Sequence, residues 1–339
     1  MPKKKQPETA GPTSYDVASL AGVSQSAVSR AFSKFGSVAP STRAKIMHAA
    51  KQLGYQPNAF ARGLITKKSN LIAVIISNLT NLNYPEVLAE LTQRLSAEGN
   101  RVLLFSLAAE SDVDDVLEQV WPYRVDGAIV AARLHDDQIQ QFNDRGIPVI
   151  LYNRIGDVAP SASVCCDSAA GERELVRLLL AGGHRTFGII AGPEDSYVGE
   201  ERLEAARRAL NQSGIEPFFF RGRFDYASGA EGFHALVDQA DGRLDAVICT
   251  NDAMAIGAID CAKSTYGFRL PDDISIVGFD GVGPATWASY QLTTIRQPVR
   301  RMTAAVVAML LERIANPGMA PEQRLFGGEL LLGRSARLG

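Results

Sequence analysis

Long apolar runs are missing from this sequence: none approaches the roughly 20 residues that a membrane-spanning helix needs. Behind the start, Met1-Pro-Lys-Lys-Lys-Gln, there is no apolar stretch, so no secretory signal is expected and the reading is cytoplasmic. Paired cysteines are missing too. Cys165, Cys166, Cys249 and Cys261 form no CxxC motif and sit in or beside apolar runs, as small buried hydrophobes in a reducing compartment do. No GxGxxG follows a strand-like run, and neither a GxxxxGK motif followed by Ser or Thr nor a GxSxG elbow occurs, so a nucleotide-dependent enzyme lacks its phosphate cradle and a hydrolase its nucleophile turn. His48, His135, His184 and His234 are scattered, which leaves no metal-ligand cluster and no cofactor to expect.

Acids are scarce at one end only. Residues 1–70 hold eleven Lys/Arg and two acids, Glu8 and Asp16, a local balance of +9, while the remainder holds 24 basic and 35 acidic residues, or −11. The overall charge of −2 therefore averages a basic module over an acidic body, and the basic module suggests a polyanion partner. The 339 residues exceed one ordinary core of roughly 100–200, so two or three domains are expected.

Residues 1–12 read as a disordered arm and 54–70 as a linker rich in Gly, Pro, Asn and Lys. From residue 71, apolar runs of strand length (Leu71–Ser77, Arg101–Ser106, Asp126–Ala131, Ile147–Tyr152, Phe187–Ala191, Leu244–Thr250, Ile274–Phe279) alternate with helix-length stretches near 85–98, 112–121, 136–145, 168–182, 199–213, 228–240 and 252–265. Continuous apolar strands are covered on both faces, and strand–helix alternation over this length predicts a doubly wound α/β body of about two similar lobes. Such sheets bind ligands at the carboxyl ends of their strands. Asn78, Arg133, Asn153-Arg154, Gly192-Pro193, Asn251-Asp252 and Asp280 stand there.

Between residues 13 and 53 the signals are helical only. Thr13 or Ser14 can cap a first helix with Val17, Ala18 and Leu20 facing inward, and Ala21-Gly22-Val23 breaks it. Ser24 can cap a second helix, in which Val28, Ala31 and Phe32 share one face and Gln25, Ser26, Ser29 and Arg30 the other. Two short helices around a Gly turn make a helix-turn-helix, whose second helix enters the major groove; an amide, two hydroxyls and a guanidinium suit base edges and phosphates. The alternative is a helical hairpin with a solvated polar face. A third helix is expected over about Pro40–Leu53, with Ile46, Ala50 and Leu53 inward.

Several motifs in register carry a resemblance. They are Tyr15-Asp16-Val17-Ala18, Ala21-Gly22-Val23-Ser24, Val28-Ser29-Arg30, Val38 with Thr42-Arg43, Leu53-Gly54-Tyr55-Gln56-Pro57-Asn58, Asn251-Asp252-Ala253-Met254-Ala255-Ile256-Gly257-Ala258, Val277-Gly278-Phe279-Asp280 and Thr293-Thr294-Ile295-Arg296-Gln297-Pro298. Over residues 13–335 the chain resembles the lactose/galactose-repressor (LacI/GalR) family. The resemblance implies a dimeric bacterial repressor: an all-α helix-turn-helix headpiece at 13–57, a hinge helix and linker at 58–70, and an α/β periplasmic-binding-protein-like body of two doubly wound lobes at 71–339. It sets lobe 1 at about 71–161 and 299–325 and lobe 2 at about 162–298 and 326–339.

The same resemblance assigns base reading to Gln25, Ser26 and Arg30, contacts near the backbone to Tyr15, Ser24 and Ser29, and the third-helix start to Thr42 and Arg43. Asn58, Arg62 and Leu64 fall on the hinge, with Leu64 as the apolar wedge that opens the minor groove of a palindromic operator. Two departures stand out. Ala39 replaces the usual capping Ser, at a cost of about 1 kcal/mol, and Gly63 sits inside the hinge helix, at roughly 0.5–1 kcal/mol. In the body, Arg202, Phe224, Asn251, Asp252, Asp280 and Gln297 match effector contacts, and Asn153 and Arg154 end a strand facing the cleft. The first-lobe lip reads Asn81-Leu82-Asn83-Tyr84-Pro85, where the family often has Asn-Pro-Phe-Phe, so Asn83 and Tyr84 are its candidates. Arg133, Arg154 and Arg202 at element ends suggest a sugar acid as well as a sugar, unless Arg133 and Arg154 serve the surface or lobe contacts.

The expected function is thus an effector-gated, non-enzymatic, DNA-binding repressor. A solute-binding protein of the periplasmic type is the alternative that the body alone would permit. No heptad segment follows Leu330–Gly339, so a dimer without a coiled coil is expected.

Overall fold

A computed structural model describes residues 11–32, 37–56, 68–107, 112–156 and 161–339. The chain divides into two compact units, Met1–Ser69 and Asn70–Gly339. Residues 1–10 of the expected arm (1–12) and the hinge residues Asn58, Arg62, Gly63 and Leu64 lie outside the described residues.

The first unit is built from α1 (Ser14–Ala21), α2 (Gln25–Ala31) and α3 (Pro40–Leu53). Thr13 and Asp16 close a capping box at the start of α1, where the carboxylate also faces the positive helix end. The turn that follows needs a left-handed residue, and Gly22 supplies it at φ +65°. Ser24 caps α2 by accepting from the Ala27 amide. Ala39 makes no side-chain cap for α3, as its missing hydroxyl requires. Val17, Ala18, Val28, Ala31, Ile46, Ala49 and Ala50 form the core. Leu20, expected inward, is 47% exposed: it flanks the buried Val17–Ala18 stripe on the side away from Ala18, where the other two helices do not cover it.

The second unit runs β1 (Leu71–Ser77), α4 (Tyr84–Ala97), β2 (Arg101–Leu107), α5 (Val113–Val120), β3 (Gly127–Ala131), α6 (Asp136–Asp144), β4 (Val149–Tyr152), β5 (Ser163–Asp167), α7 (Ser168–Ala181), β6 (Phe187–Ala191), α8 (Tyr197–Asn211), β7 (Phe218–Arg221), α9 (Tyr226–Gln239), β8 (Ala246–Cys249), α10 (Asp252–Ser264), β9 (Ser275–Asp280), β10 (Thr293–Arg296), α11 (Val299–Ala315), β11 (Gln323–Gly327) and β12 (Glu329–Leu331). One sheet has the order β11-β5-β4-β3-β1-β2 and is parallel throughout. The other has the order β12-β10-β9-β8-β6-β7 and is parallel except for β12, which runs antiparallel to β10. Helices cover the sheets, and the central strands β1, β3, β6, β8 and β9 are buried as their apolar runs require.

The chain passes between the sheets after Asp167, between β10 and α11, and at Gly328. Lobe 1 therefore reaches further than the expected breaks at 161 and 325. Ser163–Asp167 pairs with β4 and then with Gln323–Gly327, and these hydrogen bonds keep both segments in the first sheet.

In the second lobe, α9 and α10 approach so closely that only glycine fits at the contact. A Cβ on Gly229 would overlap the Met254 carbonyl oxygen, and one on Gly257 the Tyr226 carbonyl oxygen. Backbone cannot yield as a side chain can. Gly229→Ala should lower stability by about 1–3 kcal/mol or more in denaturant unfolding, whereas Gly318→Ala, with open space around it, should be near neutral.

Candidate ligand cavity and nucleic-acid interface

A cavity of about 290 Å³ opens where strands of both sheets end. From lobe 1 it is lined by Ser77 at the end of β1 and Asn78 after it, Asn81, Asn83 and Tyr84 before and at the start of α4, and Asn153 and Arg154 after β4. From lobe 2 come Pro193, Asp195 and Ser196 after β6, Val198 and Arg202 on α8, Arg223 and Phe224 after β7, Asp280 at the end of β9 and Gln297 after β10. The fold explains this convergence: parallel strands present their carboxyl ends on one side.

Four lining residues sit in left-handed backbone: Asn78 (φ +52°), Asn153 (φ +51°), Phe224 (φ +60°) and Asp280 (φ +117°). For an aromatic residue this conformation is costly, and such strain persists only where the surroundings enforce it. At Phe224 they do: Asn251 Nδ2 donates to its carbonyl at 3.0 Å, and the ring packs so closely on Gly192 that any side chain there would collide with it.

Polar groups on the cavity wall are already linked to one another. Arg202 Nη2 pairs with Asp280 Oδ1 at 2.9 Å, Nη1 donates to the Thr250 carbonyl at 2.6 Å, and Nε reaches Ser168 Oγ at 3.4 Å. Its guanidinium lies 3.8 Å from the centre of the Phe279 ring. Gln297 Nε2 donates to Asp280 Oδ1 at 2.7 Å, and Gln297 Oε1 accepts from Asn153 Nδ2 at 2.6 Å, a chain that ties lobe 1 to the crossover. Burial pushes the Asp280 carboxyl up, against the pull of Arg202 and Gln297. Arg154 donates from Nη1 to the Asn153 carbonyl at 2.9 Å.

Eight of the eleven residues expected at the effector cleft line this cavity: Asn83, Tyr84, Asn153, Arg154, Arg202, Phe224, Asp280 and Gln297. Asn251 and Asp252 do not. They end β8 as expected but turn inward: Asn251 caps α10, and Asp252 accepts from Thr294 Oγ1 at 2.6 Å and the Val282 amide at 2.8 Å. Burial pushes the Asp252 carboxyl up to about 8. Arg133 is exposed and outside the lining. The three-arginine argument for an acid therefore loses Arg133, and the charge of Arg202 is matched by Asp280. Ser77, Asp195, Ser196, Val198 and Arg223 were not expected; Ser196 and Val198 could have been found from the cap and first turn of α8, which follows a strand end.

In the helical unit, Tyr15 is 72% exposed, Ser24, Ser26, Ser29 and Arg30 are exposed, and Gln25 is half-buried, so α2 presents the polar face that its spacing predicts. Ser24 and Ser26 hydroxyls are 3.0 Å apart, and Gln25 Nε2 donates to Ser14 Oγ at 3.4 Å. Thr42 is half-buried. Arg43 turns inward: Nη1 donates to the Ala31 carbonyl at 2.6 Å and closes the end of α2.

Comparison with known proteins agrees with both parts. Residues 13–58 match the family model "Bacterial regulatory proteins, lacI family", and 176–336 match "Periplasmic binding protein-like domain". The probable HTH-type transcriptional repressor ExuR of Bacillus subtilis (strain 168) is 30% identical over 333 residues, covering 95% of this chain and 97% of the relative. The lac repressor dimer bound to operator and the anti-inducer ONPF is similar with a TM-score of 0.85 at 27% identity, over 96% of this chain and 99% of that one. A complex of the transcriptional regulator CelR with cellobiose aligns with a TM-score of 0.72 at 28% identity, over 96% and 100%. Among the described residues no helix is long and apolar enough to cross a membrane.

Proposed function

The chain belongs to the lacI family of bacterial regulatory proteins, and from that premise we propose how its parts divide the work. It is a DNA-binding transcription regulator of the repressor type whose body takes a small-molecule effector. Two copies bind a palindromic operator, each placing α2 in a major groove with Gln25, Ser26 and Arg30 at base edges. The hinge residues Asn58, Arg62 and Leu64 meet the minor groove between them. The protein acts in the cytoplasm, without a catalytic step.

The effector is a sugar-like polyol held between the lobes by Asn83, Tyr84, Asn153, Arg154, Arg202, Phe224, Asp280 and Gln297. One observation carries this reading: the left-handed backbone at Asn78, Asn153, Phe224 and Asp280 is concentrated around one cavity with an aromatic plane and paired amides, carboxylate and guanidinium. The alternating donors and acceptors suit hydroxyls better than a bare anion, because Asp280 already matches Arg202. Effector binding and operator binding are then linked through the lobes by a coupling of about 1–3 kcal/mol, equal in both directions.

Two measurements test the reading. In a gel shift, operator binding should be specific for a palindrome and fall steeply with salt, because phosphate contacts release counterions; binding without either property defeats it. In a thermal-shift panel of sugars and sugar acids, a true effector at about a hundred times its Kd should raise the melting temperature roughly 5–10 °C. A panel in which aldonic acids act as well as their neutral sugars would overturn the preference for a neutral polyol.

A further inference from the structure

Behind the cavity wall lies a carboxyl that the proposed effector contacts do not use. Glu172, on α7, is fully buried, and neither carboxylate oxygen has a hydrogen-bond partner. Ser168 stands one turn earlier on the same face of α7, since positions i and i+4 are neighbours. Ser168 Oγ already accepts from Arg202 Nε. The Phe279 ring fills the space between: its edge abuts Gly171, where a Cβ would come within 2.9 Å of Cε2, and the Arg202 guanidinium lies 3.8 Å from its centre. Glu172 and Arg202 thus belong to one buried cluster, and Arg202 has three carboxyls in reach of its charge, Glu172, Glu201 and Asp280, of which it bonds Asp280.

We propose that Glu172 is a positioning residue of the cleft: while it keeps its proton it leaves Arg202 to Asp280 and the cavity wall, and once ionised it draws Arg202 back towards α7, so that occupancy of the cleft is linked to a proton. The inference rests on the reading of the cavity as the effector site. Burial is the physical cause. A buried carboxylate with no protein donor is costly, and burial pushes Glu172 up to about 8, with Arg202 acting against and Asp280 with the shift. The other groups around it do not supply a second cation. From α8 the chain presents Arg202 and Glu201, from β9 Asp280, and from β8 the Cys249 thiol, itself pushed up by burial beside Asp252 and Glu172. On β10 and β11, Arg296 is paired with Glu86 and Arg324 with Glu322. On α7 itself Glu174 is paired with Arg177, and Arg173 is exposed.

Infrared difference spectroscopy on the ligand-free full-length protein tests this, taken from pH 5 to 9.5. Wild type should show protonated-carboxyl stretches from Glu172 and Asp252 that disappear near pH 8, and Glu172→Gln should lack the Glu172 component while keeping that of Asp252. In Asp280→Asn the Glu172 midpoint should fall by about one to three pH units, because a like charge is removed and Arg202 is released to the second carboxyl. The Glu172→Gln side chain mimics the protonated form, so this variant should fold and should lose less melting temperature than wild type as pH rises through 8. A Glu172 already ionised at pH 7, a midpoint unmoved by Asp280→Asn, or identical pH–stability profiles for wild type and Glu172→Gln would each overturn the proposal. No sugar is needed in any arm, so failure of the sugar panel speaks against the effector reading alone.

Discussion

Replacing Asp280 by alanine in a Glu172→Gln background should cost about 3–5 kcal/mol of unfolding free energy. Arg202 and Asp280 are each only 3% exposed at their side chains, with 2.9 Å between Nη2 and Oδ1. Removing one partner leaves a buried cation that cannot lose its proton, because arginine stays charged at any working pH. The Thr250 carbonyl and Ser168 hydroxyl still accept from it, but neither carries a charge. Removing both ions is a different matter: Arg202→Met with Asp280→Leu should recover most of the loss, since apolar groups of similar volume need no compensation. The glutamine background matters because Glu172 can otherwise ionise and take over the guanidinium. In the wild-type background the same Asp280→Ala change should therefore cost less, increasingly so as pH rises towards 8. Chemical denaturation at pH 6 and 8.5 of wild type, Glu172→Gln, Asp280→Ala in each background and the Arg202→Met, Asp280→Leu protein measures this. A cost below about 1 kcal/mol in the glutamine background would mean that Arg202 finds solvent, and the buried pair would lose its structural role.

The sign of the wider pH response follows from the same groups. Glu172 and Asp252 are both pushed up to about 8 in the folded protein, well above the ordinary carboxylate range. The folded state then holds protons that the unfolded chain has released, so their contribution to stability is complete below the ordinary carboxylate values and is lost as pH rises through about 8. The body should be more stable at pH 6 than at pH 9, the reverse of a protein held by ordinary surface ion pairs.

Local sequence was informative wherever one element suffices. Six of the seven apolar runs become interior strands, because burial on both faces demands unbroken apolar residues, and the seventh becomes β2, a partly exposed edge strand. The strands that it did not reveal are β5, β7, β10, β11 and β12, three to five residues each and partly polar. Gln323–Gly327 has only the alternation of an edge and becomes a strand because Ser163–Asp167, some 160 residues earlier, offers it a partner. Pairing at that separation leaves no mark in a local window, and α11, with apolar residues on most of its circumference, has no clean stripe to read. The cavity shows the same division. Strand-end position marks Asn78, Asn153, Arg154, Pro193 and Asp280, but position cannot say which way a side chain turns. Asn251 and Asp252 have the right location and chemistry, yet capping α10 and holding the β9–β10 connection uses them up. Arg133 leaves β3 towards solvent. Glu172 shows the opposite limit: in sequence it is one acid among Glu172-Arg173-Glu174 on an amphipathic helix, and only the packing of α7 on the cavity wall makes it buried.

The proposed DNA interface yields the other large effect. Arg30→Ala should weaken operator binding far more than it weakens the fold, because Arg30 is exposed on the outer face of α2 while Val28 and Ala31 hold the helix to its core. A bidentate arginine–base contact is worth about 1–3 kcal/mol. Two copies of the chain lose it twice, for about 2–6 kcal/mol, or roughly 30- to 10⁴-fold in affinity. The pattern of loss identifies the contact. If Arg30 reads a base, discrimination at one symmetric pair of positions should relax and non-specific binding should barely change; if it touches phosphate, all sequences should weaken together and the salt slope should drop by about one per lost contact. Arg43→Ala is the contrasting case. Its guanidinium closes the end of α2 on the Ala31 carbonyl, so its removal should lower the melting temperature of the headpiece and reduce binding to every sequence alike. Equal effects of the two substitutions on stability and specificity would contradict the division of labour between the outer face of α2 and the arginine that braces it.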